Sequence, residues 1–321
     1  MEKTATGKIL KGVGGLYSVR LLGDDVLPKG SVIQCRARGS FRHEHITPLP
    51  GDTVTLLYDD RAKPISEAGG AAAGFVIDGI GERRNALIRP PVANLDYLFI
   101  TMASAAPSPI LTTVDKLIAI AEFNRIEPVI VVTKNELKPD YAEELVTLYS
   151  LCGFSCFSVS AVEGDGIQPL DRFIAEHLGG KTAAFAGASG IGKSTLMNRL
   201  FPHLSLSTSE ISRKIERGRH TTRLVELFPL SESSDSGYIA DTPGFSMLDF
   251  ARFDFFDKED LPTTMREFLP YIGQCRYTKC SHTKEEGCAI LDAVRQGTIP
   301  PSRHASYAEL YDTLKQKKKW N

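Results

Sequence analysis

Gly187-Ala188-Ser189-Gly190-Ile191-Gly192-Lys193-Ser194-Thr195 matches the phosphate-binding pattern GxxxxGK[ST] without a gap. The apolar stretch 182–186 (TAAFA) before it reads as a strand, and 195–200 (TLMNRL) after it reads as a helix. Strand, glycine-rich loop and helix are the context this pattern needs. Backbone N–H groups of such a loop cradle phosphates, helped by the helix N-terminus. Residues Gly187 to Thr195 are therefore expected to hold a nucleoside triphosphate. Lys193 is expected to bridge its β- and γ-phosphates and serve catalysis, and the Ser194 hydroxyl to bind Mg²⁺.

Outward from this loop, strand and helix patterns alternate. Residues 97–102 (YLFITM), 128–133 (PVIVVT) and 156–160 read as buried strands; 113–124, 141–151 and 169–178 read as helices. Alternation of this kind predicts a mostly parallel, doubly wound sheet. Downstream, Asp241-Thr242-Pro243-Gly244 follows the apolar YIA and suits an acid that holds Mg²⁺ through water and a loop that senses the γ-phosphate. Between them, Gly218-Arg219-His220-Thr221-Thr222 offers hydroxyls for Mg²⁺, with Thr222 the expected ligand.

Thr133-Lys134-Asn135-Glu136, directly after PVIVV, resembles the base-recognition element of GTPases. There a carboxylate accepts from guanine N1–H and N2–H₂, edges at which adenine presents the opposite pattern. The acid is Glu136 where Asp is usual, which predicts retained but altered guanine selectivity. Ser160-Ala161, after the next strand, resembles the loop whose backbone N–H meets guanine O6. Both elements precede the phosphate loop, whereas ordinary GTPases place them after it. The order is that of a circular permutation.

The remainder of the 321 residues divides in two. The first 80 residues read as about five short strands broken at Gly12, Gly14, Gly15, Pro28-Lys29-Gly30 and Pro50-Gly51-Asp52, which suggests an OB-type barrel. Net charge is −1, yet residues 1–50 hold Lys3, Lys8, Lys11, Arg20, Lys29, Arg36, Arg38 and Arg42 against Glu2, Asp24, Asp25 and Glu44. Arg36, Arg38, Arg42 and His43, with Phe41 as a stacking surface, form a candidate RNA face; a solvated basic strand is the competing reading. The segment 83–94 (RRNALIRPPVAN) reads as a linker. Near the C-terminus, Cys275-x₄-Cys280-x-His282-x₅-Cys288 offers three thiolates and an imidazole, a set suited to one structural, tetrahedral Zn²⁺. Cys35, Cys152 and Cys156 read as small buried hydrophobes. Tyr307, Leu310, Tyr311 and Leu314 fall on one face of a final helix. No run reaches the ~18 apolar residues a membrane span needs, and MEKTATGKIL lacks a signal core, so a cytoplasmic protein is expected.

On CRARGSFR (35–42), ITPLPGD (46–52), RRNALIRPPVAN (83–94), GASGIGKST (187–195), GRHTTR (218–223), DTPGFS (241–246) and the Cys/His cluster, the whole chain resembles the bacterial ribosome small-subunit-dependent GTPase A (RsgA/YjeQ) family. The resemblance implies an OB-fold RNA-binding domain at 1–80, a circularly permuted GTPase domain at 81–250 and a zinc-binding helical domain at 251–321. It implies a monomeric late assembly factor of the small ribosomal subunit, bound to its rRNA. Its GTP hydrolysis would be stimulated by the subunit and would drive release. Phe245, after DTPG, cannot orient water as a Gln would; the substitute comes from His220 or from the ribosome, with His220 preferred, and rRNA contact or a solvated loop position are the competing readings of His220. Two further classes stay open on the residues alone: a P-loop ATPase or kinase, and a non-catalytic zinc/OB rRNA-binding module with a relict nucleotide site.

Overall fold

The computed structural model describes residues 2–24, 27–43, 46–59, 74–88, 90–204, 225–231, 233, 236–241 and 256–316. His220, Thr221, Thr222 and Gly244 lie outside the described residues, as do the side chains of Arg42, His43 and Asp241. The chain forms two compact units. One comprises Met1–Asp96, Phe173–Ala184 and Ser207–Phe245, the other Tyr97–Arg172, Phe185–Leu206 and Ser246–Asn321.

In the first unit, β1 (Glu2–Val13), β2 (Leu16–Leu21), β3 (Val32–Ala37), β4 (Thr53–Asp59) and β5 (Phe75–Ile80) pair in the order β1-β2-β3-β5-β4. Pairing of β4 back onto β1, from Glu2↔Asp59 to Lys8↔Thr53, closes the barrel. The strands alternate as a one-sided sheet must: in β3, Ile33 and Cys35 are buried while Val32, Gln34 and Arg36 are exposed. Ile9, Val19, Cys35, Leu56 and Ile77 fill the interior. β1 continues through the expected break at Gly12 and turns only at Gly14-Gly15. α1 (Ser40–His43) follows β3 and turns Phe41 into the barrel core, where it is 7% exposed. Phe41 is therefore not a stacking surface. Arg36 and Arg38 are exposed, and Arg38 also pairs with Asp78.

The expected linker is folded. β6 (Ala86–Ile88) and β7 (Pro91–Ala93) form a hairpin, and the proline opens its strand, where a missing N–H is tolerated. Asn85 clasps Leu95 by hydrogen bonds of 2.8 and 2.9 Å, and Arg83 grips the fully buried Asp52 through both carboxylate oxygens at 2.7 and 2.8 Å. In the same unit the Thr182–Ala184 part of β11 (Thr182–Ala186) pairs in parallel with β13 (Tyr238–Asp241). β13 pairs antiparallel with β12 (Glu226–Pro229), a strand the sequence reading does not anticipate. Glu226 opposes Asp241 on one side and Lys11 of β1 on the other, and Lys11 Nζ meets the Glu226 carboxylate at 2.5 Å.

In the second unit, β8 (Tyr97–Ala103), β9 (Glu127–Thr133) and β10 (Ser155–Val159) run parallel, with Tyr97 opposite Glu127 and Ser155 opposite Val129. Six consecutive residues in each of β8 and β9 are buried, as expected of strands covered on both faces. α2 (Leu111–Phe123) buries Val114, Leu117, Ile118 and Ala121, and α3 (Pro139–Leu151) buries Ala142, Leu145 and Tyr149. α4 (Ile167–His177), which belongs to this unit as far as Arg172, and α5 (Lys193–Leu200) follow, then 3₁₀ turns at Leu261–Thr264 and Arg266–Tyr271, α6 (Ala289–Arg295) and α7 (Pro301–Gln316). α7 buries Tyr307, Leu310 and Leu314, the face read from periodicity. It also buries Arg303 completely. Its guanidinium contacts Asp115 of α2 at 2.5 Å and Glu267 at 2.7 Å, and the Tyr149 hydroxyl donates to Asp115 at 2.9 Å. Burial pushes the Asp115 carboxyl upward, with Arg303 opposing. Among the described residues, no helix is long and apolar enough to cross a membrane.

Candidate nucleotide site and metal centre

Three motif loops of the second unit begin at the carboxyl ends of parallel strands, where open α/β sheets bind ligands. β11 ends at Ala186, β9 at Thr133 and β10 at Val159. The phosphate loop is seated on β8. Thr101 Oγ1 donates to Ala186 O at 2.6 Å, and a Cβ on Gly187 would stand 2.3 Å from Thr101 O. Only glycine permits that approach. Gly192 forms the N-cap of α5, and Leu196, Met197 and Leu200 anchor the helix inward. Ala188, Ser189, Gly190, Ser194 and Thr195 are exposed along the loop's open side, with Gly192 and Lys193 half-buried and Ile191 buried.

The base element is tied directly to this loop. Thr133 Oγ1 donates to Ile191 O at 2.5 Å and lies 3.1 Å from Met102 O. Lys134 adopts a left-handed backbone, its Nζ donates to Gly190 O at 2.7 Å and to Ala106 O, and its stem would lie 3.7 Å from a Cβ on Gly192. Ser104, fully buried at the end of β8, donates from Oγ to Lys134 O at 2.6 Å and from its N–H to Thr133 O at 2.9 Å. Asn135–Leu137 is a 3₁₀ turn. Glu136 places a buried Oε2 there that has no hydrogen-bond partner among the described residues. An orphaned buried acceptor asks for a donor, and a base edge carrying N–H groups supplies one. Ser160 is fully buried; its Oγ accepts from Glu163 N at 3.0 Å, which shapes the Ser160-Ala161 loop.

Thr133, Lys134, Asn135, Glu136, Ser160, Ala161 and the phosphate loop thus lie in one unit, and side-chain bonds link the base element to the loop. Asp241 is described in its backbone only, at the end of β13. Sequence reasoning misses Thr101, Ser104 and Asp165, whose Oδ2 accepts from Asn135 Nδ2 at 2.7 Å. The small hydroxyl of Ser104 directly after an apolar strand was a usable signal; the roles of the other two depend on partners distant in sequence.

The ligand atoms of Cys275, Cys280, His282 and Cys288 all lie within 4.8 Å of one another. Cys275 Sγ and Cys288 Sγ are 3.8 Å apart, and each is 3.5 Å from His282 Nδ1. Tetrahedral Zn²⁺, with Zn–S about 2.3 Å and Zn–N about 2.0–2.1 Å, requires edges of about 3.8 and 3.6 Å. The residues fit the ion. His282 stands in a left-handed conformation, its carbonyl accepting from His304 Nε2 at 2.8 Å, while Tyr307 donates to Ser281 O at 2.8 Å. The Glu285 carboxylate accepts from the Ser281 and Thr283 N–H groups at 2.8 and 3.1 Å and closes the knuckle. Burial pushes the Cys280 thiol up to about 12 and raises that of Cys288; a bound cation would reverse this. Away from the cluster, burial raises the thiols of Cys35 and Cys152 to about 12 and that of half-buried Cys156 to about 11, the behaviour of unreactive packing residues.

Comparison with known proteins agrees over both halves of the chain. Residues 80–251 match the model of the RsgA GTPase family and residues 6–64 that of the RsgA N-terminal domain. A protein of Caldanaerobacter subterraneus subsp. tengcongensis named small ribosomal subunit biogenesis GTPase RsgA is 37% identical over 98% of this chain and 97% of its own. One of the same name from Bacillus pumilus is 38% identical over 97% and 98%. The crystal structure of YjeQ from Thermotoga maritima superposes with a TM-score of 0.79 at 29% identity, covering 98% of this chain and 100% of that one. That of YloQ, described as a circularly permuted GTPase, gives 0.74 at 31% identity over 99% and 98%. With base element before phosphate loop, a closed five-stranded barrel at the N-terminus and a Cys/His cluster near the C-terminus, the chain belongs to the RsgA GTPase family.

Proposed function

We propose that the protein hydrolyses GTP to GDP and phosphate as a late maturation factor of the small ribosomal subunit, that the subunit stimulates turnover, and that hydrolysis releases the protein. The observation that carries the reading is the pair of bonds from Thr133 and Lys134 to the carbonyls of Ile191 and Gly190. They join a guanine-type base element to a complete phosphate loop. The names of the relatives supply the subunit.

In this reading the N–H groups of residues 187–194 and the Lys193 ammonium hold the β- and γ-phosphates and stabilise charge that develops on them during transfer to water. Ser194 and Thr222, with Asp241 through water, would hold Mg²⁺, whose charge would offset the negative charge on the phosphates, and the loop at Gly244 would sense the γ-phosphate. Glu136 accepts from guanine N1–H and N2–H₂, and the Ser160-Ala161 loop offers an N–H to O6. His220 orients the attacking water, because Phe245 has no polar group. Residues 1–80 act as the rRNA-binding barrel through Arg36 and Arg38, residues 81–250 as the permuted GTPase domain and residues 251–321 as the zinc module; the limits of the two family matches support the first boundary. The protein works as a cytoplasmic monomer.

GTP and ATP turnover measured with and without purified small subunits tests this. Strong stimulation confined to GTP is expected. Equal ATP turnover removes the guanine reading, and GTP turnover indifferent to subunits removes the ribosomal one. His220→Ala is expected to abolish stimulated turnover at unchanged GTP affinity.

A further inference from the structure

The Ser160-Ala161 loop is a closed turn. Ser160 N donates to Asp165 O and Gly164 N to Ser160 O, both at 2.9 Å, and Glu163 N donates to Ser160 Oγ at 3.0 Å. Gly166 (φ 67°) folds the loop back so tightly that a Cβ there would stand 1.9 Å from Ser158 O. At the mouth of this turn the Asp165 side chain leaves its own loop. Its Oδ2 accepts from Asn135 Nδ2 at 2.7 Å, across 30 residues of sequence. Asn135 itself is 9% exposed, the first residue of the 3₁₀ turn that carries Glu136.

Three residues per 3₁₀ turn separate consecutive side chains by about 120°. Fixing Asn135 towards Asp165 therefore fixes a different direction for Glu136. Glutamate has one more rotatable bond than aspartate, so its carboxylate depends more on a rigid backbone to reach a defined place. Asp165 also closes the neighbouring loop through its own carbonyl. One residue thus sets the spacing between the two elements that face a purine base.

We infer that Asp165 is a positioning residue for base discrimination: through Asn135 it aims the Glu136 carboxylate at the exocyclic 2-amino group of guanine. The inference rests on the guanine reading above. It assigns Asp165 no contact with the nucleotide.

The test is equilibrium binding of GDP, IDP and ADP to the full-length protein and its variants. IDP lacks only the 2-amino group, so the GDP-to-IDP affinity ratio reports the Glu136 contact. In the wild-type protein GDP is expected to bind at least tenfold more tightly than IDP, the value of one charge-assisted hydrogen bond. Asp165→Ala and Asn135→Ala should each bring that ratio close to one while IDP affinity changes less than threefold. Asp165→Asn keeps an acceptor for Asn135 and should restore the ratio. In a Glu136→Ala background, Asp165→Ala should leave the ratio unmoved, because the two act through one contact. A wild-type ratio retained in both alanine variants overturns the inference. So does an equal loss of GDP and IDP, the signature of a purely structural role. Wild-type protein that binds ADP as tightly as GDP removes the guanine reading and this inference with it, and that control is read first.

Discussion

The nucleotide loops and the Cys/His cluster solve the same problem in different ways. Each must hold several polar groups within a few ångströms. The nucleotide loops do it with their own hydrogen bonds: Thr133 and Lys134 to the phosphate loop, Ser104 to Lys134, Thr101 to Ala186. The cluster gathers three thiols and an imidazole on one turn whose hydrogen bonds go to its backbone, from His304 to His282 O, from Tyr307 to Ser281 O and from the Ser281 and Thr283 N–H groups to Glu285, while burial disfavours the thiolates that a metal needs. The difference teaches where each region's order comes from. In one, side chains tie separate motifs to each other; in the other, hydrogen bonds hold the turn and a metal would hold the buried thiols.

The largest effect should come from breaking the second mechanism. Structural Zn²⁺ in small modules is worth about 10–16 kcal/mol of apparent binding free energy. Cys288→Ser, at a fully buried position, or prolonged chelation should release one zinc per chain and abolish the protection of residues 275–310 in hydrogen exchange. Amides of β8 and β9 should keep theirs. Loss of protection in all of these together would show that the comparison is drawn too sharply.

Next in size is Arg303→Ala. It leaves Asp115 and Glu267 buried without their cation, a loss of about 3–5 kcal/mol. Denaturant unfolding measures it, and zinc content should stay at one per chain, because Arg303 supports the packing of α7 and not the ligands. Thr133→Val tests the first mechanism. It keeps the shape and removes the donor to Ile191 O, so about 1–3 kcal/mol of loop order is lost and GTP affinity falls roughly 5- to 150-fold. An unchanged affinity would mean that nucleotide itself organises the loop. The smallest effect is at the barrel. Arg36→Ala, at an exposed position, should weaken binding to rRNA and lower the slope of log affinity against log salt by about 0.7–0.9.

The sequence exposes the parts of this molecule whose signals are local. The phosphate loop, the strands around it and the Cys/His spacing each occupy a short window in which residue type decides the outcome. The misreadings fall where partners are distant. Residues 83–94 look like a linker because they are rich in arginine and proline, but Asp52, far upstream, takes up Arg83 and the segment folds into a hairpin. Phe41 sits among basic residues and looks like part of their face, but the short α1 turns it inward. Asp165 carries no motif; only the approach of the loops after β9 and β10 gives it Asn135 as a partner. Arg303 interrupts an otherwise periodic helix, and its burial depends on acids of α2 and of the Arg266–Tyr271 turn.

The rung formed by Asp241, Glu226 and Lys11 has a practical consequence. β12 has a neighbour on each side, and one of them is a strand of the barrel. A shortened protein that begins after residue 80 would remove the Lys11–Glu226 pairing and leave the β1-facing edge of β12 open. An unprotected edge of that kind recruits other chains. The truncated GTPase would therefore associate with itself at concentrations where the full chain stays in solution. The strand that ends in Asp241 would then be one step from a foreign contact, so nucleotide turnover measured on such a fragment would report the aggregate as well as the site.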